Sequence, residues 1–443
     1  MTTHTPISSA ALRLRGVFTG PVHLPGEPGY DEQRRPLYAP IDPRPALVVQ
    51  AADAGDVRAA VTVAREHGMP LAVQATGHGT HDPADGGLLL RTSRMSDVMV
   101  DPDRRLARVG PGACWSQVLA AAAPFGLAPL SGSHSSVGVT GYTLGGGVGW
   151  LARRYGFAAD SVLRAQVVTA DGRMVTADAY GEHADLWWAL RGGGGSFGVV
   201  TALEFALHPV EQVYAGTAYF PIEGAADLLT RYRRWIHDVP DELSTAVLLT
   251  TAPDAPDVPA PVRGRRVVAI KVMSTGLPGD ARRLLRPLWL AAGGPLAEDL
   301  RSVGYARAEM GGTGPAHVEL FDDLPDPVID ALVGVGGPAT VEVRHWGGAM
   351  AEAGPDAGPV GNRRTPLSVV VDAGVPGLAA ALRPHATGGS FLNFLHDTTR
   401  TATAYTREDH RRLSRIKAAY DPENVFALGH VIPPARLAVP AAG

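Results

Sequence analysis

The chain has one cysteine, Cys114, in 443 residues, so no disulfide can form within it and no cysteine cluster can hold zinc or an iron–sulfur centre. Lysine is nearly as scarce: Lys271 and Lys417 are the only two among 40 Lys and Arg residues. The formal net charge is −4 and the basic residues never gather into a run, which removes the electrostatic footprint of a nucleic-acid binder. No segment reaches the ~18 consecutive apolar residues of a membrane span. Met1–Gly20 lacks the basic stretch and apolar core of an export signal. These absences lead us to expect a cytoplasmic protein with small-molecule partners, no nucleic acid and no membrane.

Glycine is what the chain has in quantity. Three glycine-rich turns stand out: Val73-Gln74-Ala75-Thr76-Gly77-His78-Gly79, then Val137 to Gly147, then Arg191 to Gly198. Glycine lets backbone N–H groups approach a phosphate, so three such turns point to a large phosphorylated cofactor wrapped by backbone. His78 lies inside the first turn and presents its imidazole to something. His78, His81 and Asp82 could be metal ligands, but Gly77 and Gly79 oppose a helix there and no further ligand is apparent, so no metal is expected. Gly193-x-Gly195-x-x-Gly198 matches a dinucleotide fingerprint only as a string. That motif needs a strand before it and a helix after it, whereas Asp185–Leu190 reads as helix and the alternating Val199–Phe205 as strand. A phosphate-binding Gly-x-x-x-x-Gly-Lys-Ser/Thr loop is absent.

Hydrophobic periodicity gives an α+β chain of two domains. Pro45–Ala51 reads as a strand, Asp56–Glu66 as a helix with Val57, Ala60, Val61 and Ala64 on one face, and Leu71–Gln74 as the strand that delivers His78. Hairpins follow at Val98–Val109 and at Val162–Val175, the latter with Asp171-Gly172 at its tip. Beyond Pro209, strands at Tyr214–Phe220, Ala246–Thr251, Arg266–Val272, Thr340–His345 and Ser368–Val371 alternate with helices at Ala225–Trp235 and Asp280–Leu290. That pattern implies a mostly antiparallel sheet covered by helices.

The ordered motifs Arg44-Pro45-Ala46, Asp56-Val57-Arg58, Asp85-Gly86-Gly87, Gly145 to Gly149, Arg154-Tyr155-Gly156, Thr169 to Gly172 and Asp185 to Thr201 resemble FAD-linked oxidases of the vanillyl-alcohol oxidase fold, in particular the berberine bridge enzyme-like branch. The match resumes at Tyr405, Arg412-Leu413, Ile416-Lys417, Asp421 to Phe426 and Ile432 to Pro434. The resemblance implies a two-subdomain PCMH-type FAD-binding domain over 1–210, a substrate-binding domain over 211–387 and a closing module over 388–443. It implies FAD bound covalently through His78, with Ala75, Thr76, Gly77, Gly79, Ser136, Val137, Gly138, Gly141, Thr143, Gly145, Gly146, Gly198, Val200 and Asn393 around the cofactor.

Three departures from the family pattern bear on chemistry. Thr76 replaces a glycine of the usual Ser-Gly-Gly-His turn. His134 stands where some members carry a second, cysteine tether, so one tether is expected. Phe391-Leu392-Asn393-Phe394 replaces a Tyr-x-Asn-Tyr segment, which removes the tyrosine that many relatives use to take a proton. The base is therefore sought among His134, Tyr142 and Glu342, with His345 and His396 behind them. Cys114 is expected to be a packed core thiol. The function implied is hydride transfer from a small, neutral organic substrate, plausibly a secondary-metabolite alcohol, amine or ring, to flavin, with dioxygen reoxidising it to give hydrogen peroxide. A carbohydrate oxidase, or a flavin-containing ligand-sequestering protein with little turnover, is the alternative.

Overall fold

A computed structural model describes residues 6–37, 40–80 and 82–435; His81, named above, lies outside them. The first layer is a four-stranded sheet in the order Val22–His23, Leu47–Gln50, Leu88–Arg91, Leu71–Gln74, with the last three strands parallel. Helix Ala54–Glu66 crosses it and buries the stripe Val57, Ala60, Val61 and Ala64. The helix starts two residues earlier than the sequence suggests because Asp53 is its cap, its carboxylate accepting the Asp56 N–H at 3.0 Å. Asp56 is turned inward instead. Its buried carboxylate accepts the backbone N–H groups of Thr19 at 2.7 Å, Gly20 at 3.1 Å and Ala52 at 2.9 Å, which ties the N-terminal segment down.

The second layer is an antiparallel five-stranded sheet ordered Val98–Asp101, Leu106–Val109, Val199–Ala206, Val162–Val168, Met174–Asp178. Val199–Ala206 was expected to alternate between core and solvent, yet its first five residues are all buried. The strand is central, and its two faces serve different cores: Val200, Leu203 and Phe205 pack in the second layer's own core, while Val199 joins that of the first sheet. The order helix Ala184–Leu190, glycine turn, strand Val199–Ala206 is the reverse of a dinucleotide-binding βα unit.

The third layer is antiparallel throughout. Its main path runs Ala297–Glu298, Gln212–Pro221, Arg266–Ser274, Leu243–Thr251, Val341–His345, Leu367–Val371, His317–Phe321, and Arg301–Gly304 adds to Gln212–Pro221. Helices Ala225–Trp235, Pro278–Ala291 and Asp326–Val333 cover one face through Leu228, Leu229, Tyr232, Leu285, Leu288 and Leu332. The other face turns toward the glycine-turn layers: Ala246, Leu248, Ala269 and Met273 share a core with Leu130, Trp150 and Leu151.

The C-terminal segment closes back over both cofactor layers. Leu413, Ile416 and Ile432 enter the core of the second and Phe426 that of the first. Among the described residues no helix is long and apolar enough to cross a membrane. Cys114 is only half buried, because it precedes helix Trp115–Ala122 at the subdomain surface rather than sitting in a core.

Candidate active site

The first turn is forced by sterics. Gly77 has φ +75°, and a Cβ there would come within 2.7 Å of the Pro36 Cα, so no other residue fits. Gln74 braces the turn: its Nε2 donates to Thr80 Oγ1 at 2.6 Å, while its Oε1 accepts from Arg91 on the neighbouring strand. Thr76 takes up the space of the glycine it replaces with a function of its own, its Oγ1 accepting the His78 N–H at 3.3 Å. His78 is exposed at the tip. Burial of its ring by neighbouring atoms, and then His134, hold its pKa below the usual histidine value.

The other two turns pack onto the first. A Cβ on Gly138 would lie 3.6 Å from Thr76, and Gly194 N–H donates to Leu144 O at 2.9 Å, linking the third turn to the second. Gly79, Gly141 and Gly195, one from each turn, have nothing within 4 Å in the direction a Cβ would take. The backbone N–H groups of Thr76, Gly77 and Gly79 find no acceptor among the described residues. Open directions at three glycines and unused donors on one turn fit a long phosphorylated cofactor such as FAD.

The structure divides the expected cofactor residues into two groups. Ala75, Thr76, Gly77, His78, Gly79, Ser136, Val137, Gly138 and Gly141 lie on the adjoining first and second turns. The rest belong to the framework behind. Thr143 turns its hydroxyl to Val139 O at 2.8 Å. Gly145 abuts the Asn393 amide, whose Oδ1 accepts the Gly147 N–H at 2.9 Å and whose Nδ2 donates to Tyr142 O at 3.2 Å. Gly146, with φ +112°, backs onto Phe391 and Val360, while Gly198, with φ +153°, backs onto Val167. Val200 is buried in the second-layer core.

The candidate bases separate as clearly. Tyr142 packs partly buried between the cofactor core and the interdomain core, its hydroxyl is sealed off with no partner among the described residues, and burial raises its pKa well above the usual phenol value. It stays protonated. His345 accepts from Arg153 Nη1 at 2.8 Å, and burial holds its pKa well below the usual value, so it stays neutral and braces the interface. Burial also lowers that of His396. Glu342 is 2% exposed, with Oε2 accepting from Thr313 Oγ1 at 2.7 Å and from its N–H at 3.2 Å. His134 is exposed just ahead of the second turn, where its Nε2 lies 3.2 Å from the Gly312 N and 3.3 Å from the Gly312 O.

Sequence reasoning passed over two parts of this site. One is Lys271, given no weight as a residue type, which sits on the substrate sheet with its Nζ donating to Met310 O at 2.5 Å. The other is the strap 305–314. It crosses from the third layer and bonds both sides: Glu309 accepts from Ser135 Oγ at 2.9 Å, Gly312 meets His134, and Thr313 meets Glu342. A Cβ on Gly311 would lie 3.5 Å from Lys271 Nζ and 3.8 Å from His134 Cε1, so cofactor turn and substrate sheet converge on that glycine. The scarcity of lysine was the one available signal.

Comparison with known proteins agrees with this geometry. The FAD binding domain family matches residues 45–178, and the berberine and berberine like family matches 390–433. An uncharacterized FAD-linked oxidoreductase of Bacillus subtilis is 26% identical over 95% of this chain and 98% of its own length. (R)-6-hydroxynicotine oxidase of Paenarthrobacter nicotinovorans is 35% identical over 46% of each chain. The crystal structure of 6-hydroxy-D-nicotine oxidase from Arthrobacter nicotinovorans superposes with a TM-score of 0.81 at 27% identity, covering 94% of this chain and 98% of that one.

Proposed function

We propose that this chain, which belongs to the FAD-linked oxidoreductases with a berberine-like C-terminal module, is an oxidase of a small organic molecule, with its flavin tethered through His78. The observation that carries the reading is the packing of the three glycine turns on one another, with His78 at the tip of the first and His134 meeting the strap over Lys271. Bound among those turns, the flavin supplies a two-electron acceptor for a substrate C–H and returns the electrons to dioxygen, giving hydrogen peroxide.

The chain's own part is positioning and proton transfer. His78, held at the tip of a turn that only Gly77 allows, is placed to fix the cofactor. Lys271, Glu342 and Arg344 form the polar floor opposite. His134 takes the substrate proton, because it is the one candidate base both exposed and set just ahead of the turn beside His78. Its Nε2 is engaged by Gly312 on the strap, so the imidazole acts through Nδ1 or once the strap lifts. Tyr142 is kept protonated by burial, and Glu342 is held by Thr313 and Arg344.

The test joins two measurements. Protein precipitated in acid keeps its yellow colour in the pellet, and the His78→Ala variant releases it. Peroxide release is then measured against a panel of aromatic alcohols, cyclic amines, sugars and carboxylate-bearing alcohols and amines. A colourless protein overturns the flavin reading, and a yellow protein whose flavin no panel member bleaches without oxygen overturns the oxidase reading.

A further inference from the structure

On the face of the substrate sheet that meets the cofactor layers, one buried strip breaks an otherwise apolar surface. Ala246 pairs with Lys271 on one side and Arg344 on the other, and Leu248 pairs with Glu342. Directly opposed residues of an antiparallel pair point to the same face, so all three charges share it. The strip holds two cations against one carboxylate.

The cations are poorly served from within the protein. Arg344 has a side chain 8% exposed, and its Nε lies 2.8 Å from Glu342 Oε1 without its N–H being aimed at that oxygen. Its two Nη atoms share one acceptor, Ser133 Oγ, at 3.4 Å each. One hydroxyl cannot satisfy four Nη–H donors. Below it the guanidinium rests on the Trp150 ring at 4.6 Å, which fixes its plane. Lys271 Nζ gives one bond to Met310 O and, among the described residues, none to a carboxylate. Glu342, with Oε1 beside Arg344 and Oε2 taken up by Thr313, offsets only one of the two positive charges. The remaining acid nearby, Glu309, is held by Ser135 on the strap.

We propose that the Arg344–Lys271 strip recognises a carboxylate on the substrate, so that the enzyme oxidises small organic acids rather than neutral or cationic compounds. A planar, immobilised guanidinium with unused paired N–H groups matches a carboxylate in two parallel bonds, and an ammonium across the intervening strand adds a point charge. Both cations lie under the strap, so the acid enters as residues 308–314 lift and its carboxylate takes up the guanidinium donors left open. The proposal rests on the oxidase reading for the location of the reacting C–H, and not for the binding itself.

Isothermal titration calorimetry of the holoenzyme with benzoate and with its neutral isostere benzamide tests it without turnover. Benzoate is expected to bind about tenfold more tightly than benzamide, the low end of what a charge-assisted pair supplies. Lys271→Met and Arg344→Met are each expected to remove that preference while leaving benzamide affinity within about threefold. Equal binding of the two ligands by the parent protein overturns the proposal, even where Arg344→Met does not fold. So does a preference that survives both substitutions. Flavin content is read separately by acid precipitation: a yellow parent protein with no benzoate preference sinks the anion site alone, and a colourless parent protein sinks the oxidase reading alone.

Discussion

Lys417→Met tests how the C-terminal module holds the cofactor layers together. Lys417 and Asp421 are both 0% exposed and 2.5 Å apart. The ammonium also donates to Ser196 O at 2.8 Å and Phe426 O at 3.2 Å, which uses all three of its donors. Asp421 is saturated as well, with Oδ1 accepting from Val425 N at 2.7 Å and Oδ2 from Phe426 N at 2.9 Å. Burial pulls the Lys417 pKa down and Asp421 pulls it back up. Methionine preserves the volume but strands a buried carboxylate and two carbonyls.

Breaking one partner of such a pair costs about 3–5 kcal/mol. At ~2–4 °C per kcal/mol for a domain of this size, the melting temperature falls by roughly 10 °C. Ser196 belongs to the third glycine turn, where its hydroxyl donates to His430 O at 3.2 Å and accepts from Ile432 N at 3.0 Å. Flavin loading should therefore fall along with stability. Adding Asp421→Asn removes the stranded charge and should return about 1–2 kcal/mol. The assay is thermal unfolding followed by tryptophan and flavin fluorescence together. A shift below about 2 °C in the single variant, or a double variant less stable than the single, refutes the reasoning.

Gly77→Ala, strained by φ +75° and by Pro36, should lower both stability and flavin loading, whereas Gly141→Val, with open space before it, should lower loading alone. Flavin-to-protein absorbance ratios beside melting curves decide this, and full loading of Gly141→Val would falsify the placement of the cofactor. His134→Ala should slow anaerobic bleaching of the flavin by about 10²–10⁴-fold and leave reoxidation by oxygen unchanged; an unaltered rate makes His134 a wall of the pocket. His208, packed on Tyr155 at 4.2 Å and with its pKa pushed down to about 4 by burial, stays neutral in the fold where the unfolded chain protonates. A depressed folded pKa gives stability that is present above about pH 6.5 and lost toward pH 4, about 3 kcal/mol in all. Urea unfolding at both ends of that window should show His208→Gln losing less than the parent.

Local signals in the sequence were good guides wherever the determinant was itself local. The strand Leu71–Gln74, the helix Ala225–Trp235 and the turn around Gly77 follow from periodicity and from the φ that only glycine tolerates. Strand His317–Phe321 escaped notice because it carries His317 and Glu319 at alternate positions, a polar pattern for a strand. Those side chains belong with each other and with Arg383, which no window of neighbouring residues reveals. The strap 305–314 escaped for a related reason. It has no period of its own, and its conformation comes from bonds to Ser135, His134, Lys271 and Glu342 on three other segments.

The two lysines show where a compositional absence could have been read further. The chain uses arginine for nearly every positive charge, which a solvated surface tolerates because either residue serves there. Both lysines lie away from that surface: Lys417 in a sealed pocket of three oxygens, Lys271 on the sheet beneath the strap. A guanidinium is planar and wide, so it cannot converge its donors on acceptors arranged around one point, whereas a compact ammonium can. Burial lowers the pKa of both lysines, which brings their charge nearer to titration than any arginine's. In an arginine-rich chain a retained lysine thus marks a position chosen for shape or for a removable proton. Lys417 answers to the first description, with three bonds to three oxygens. Lys271, with one bond made and two donors open among the described residues, is left with room for a ligand.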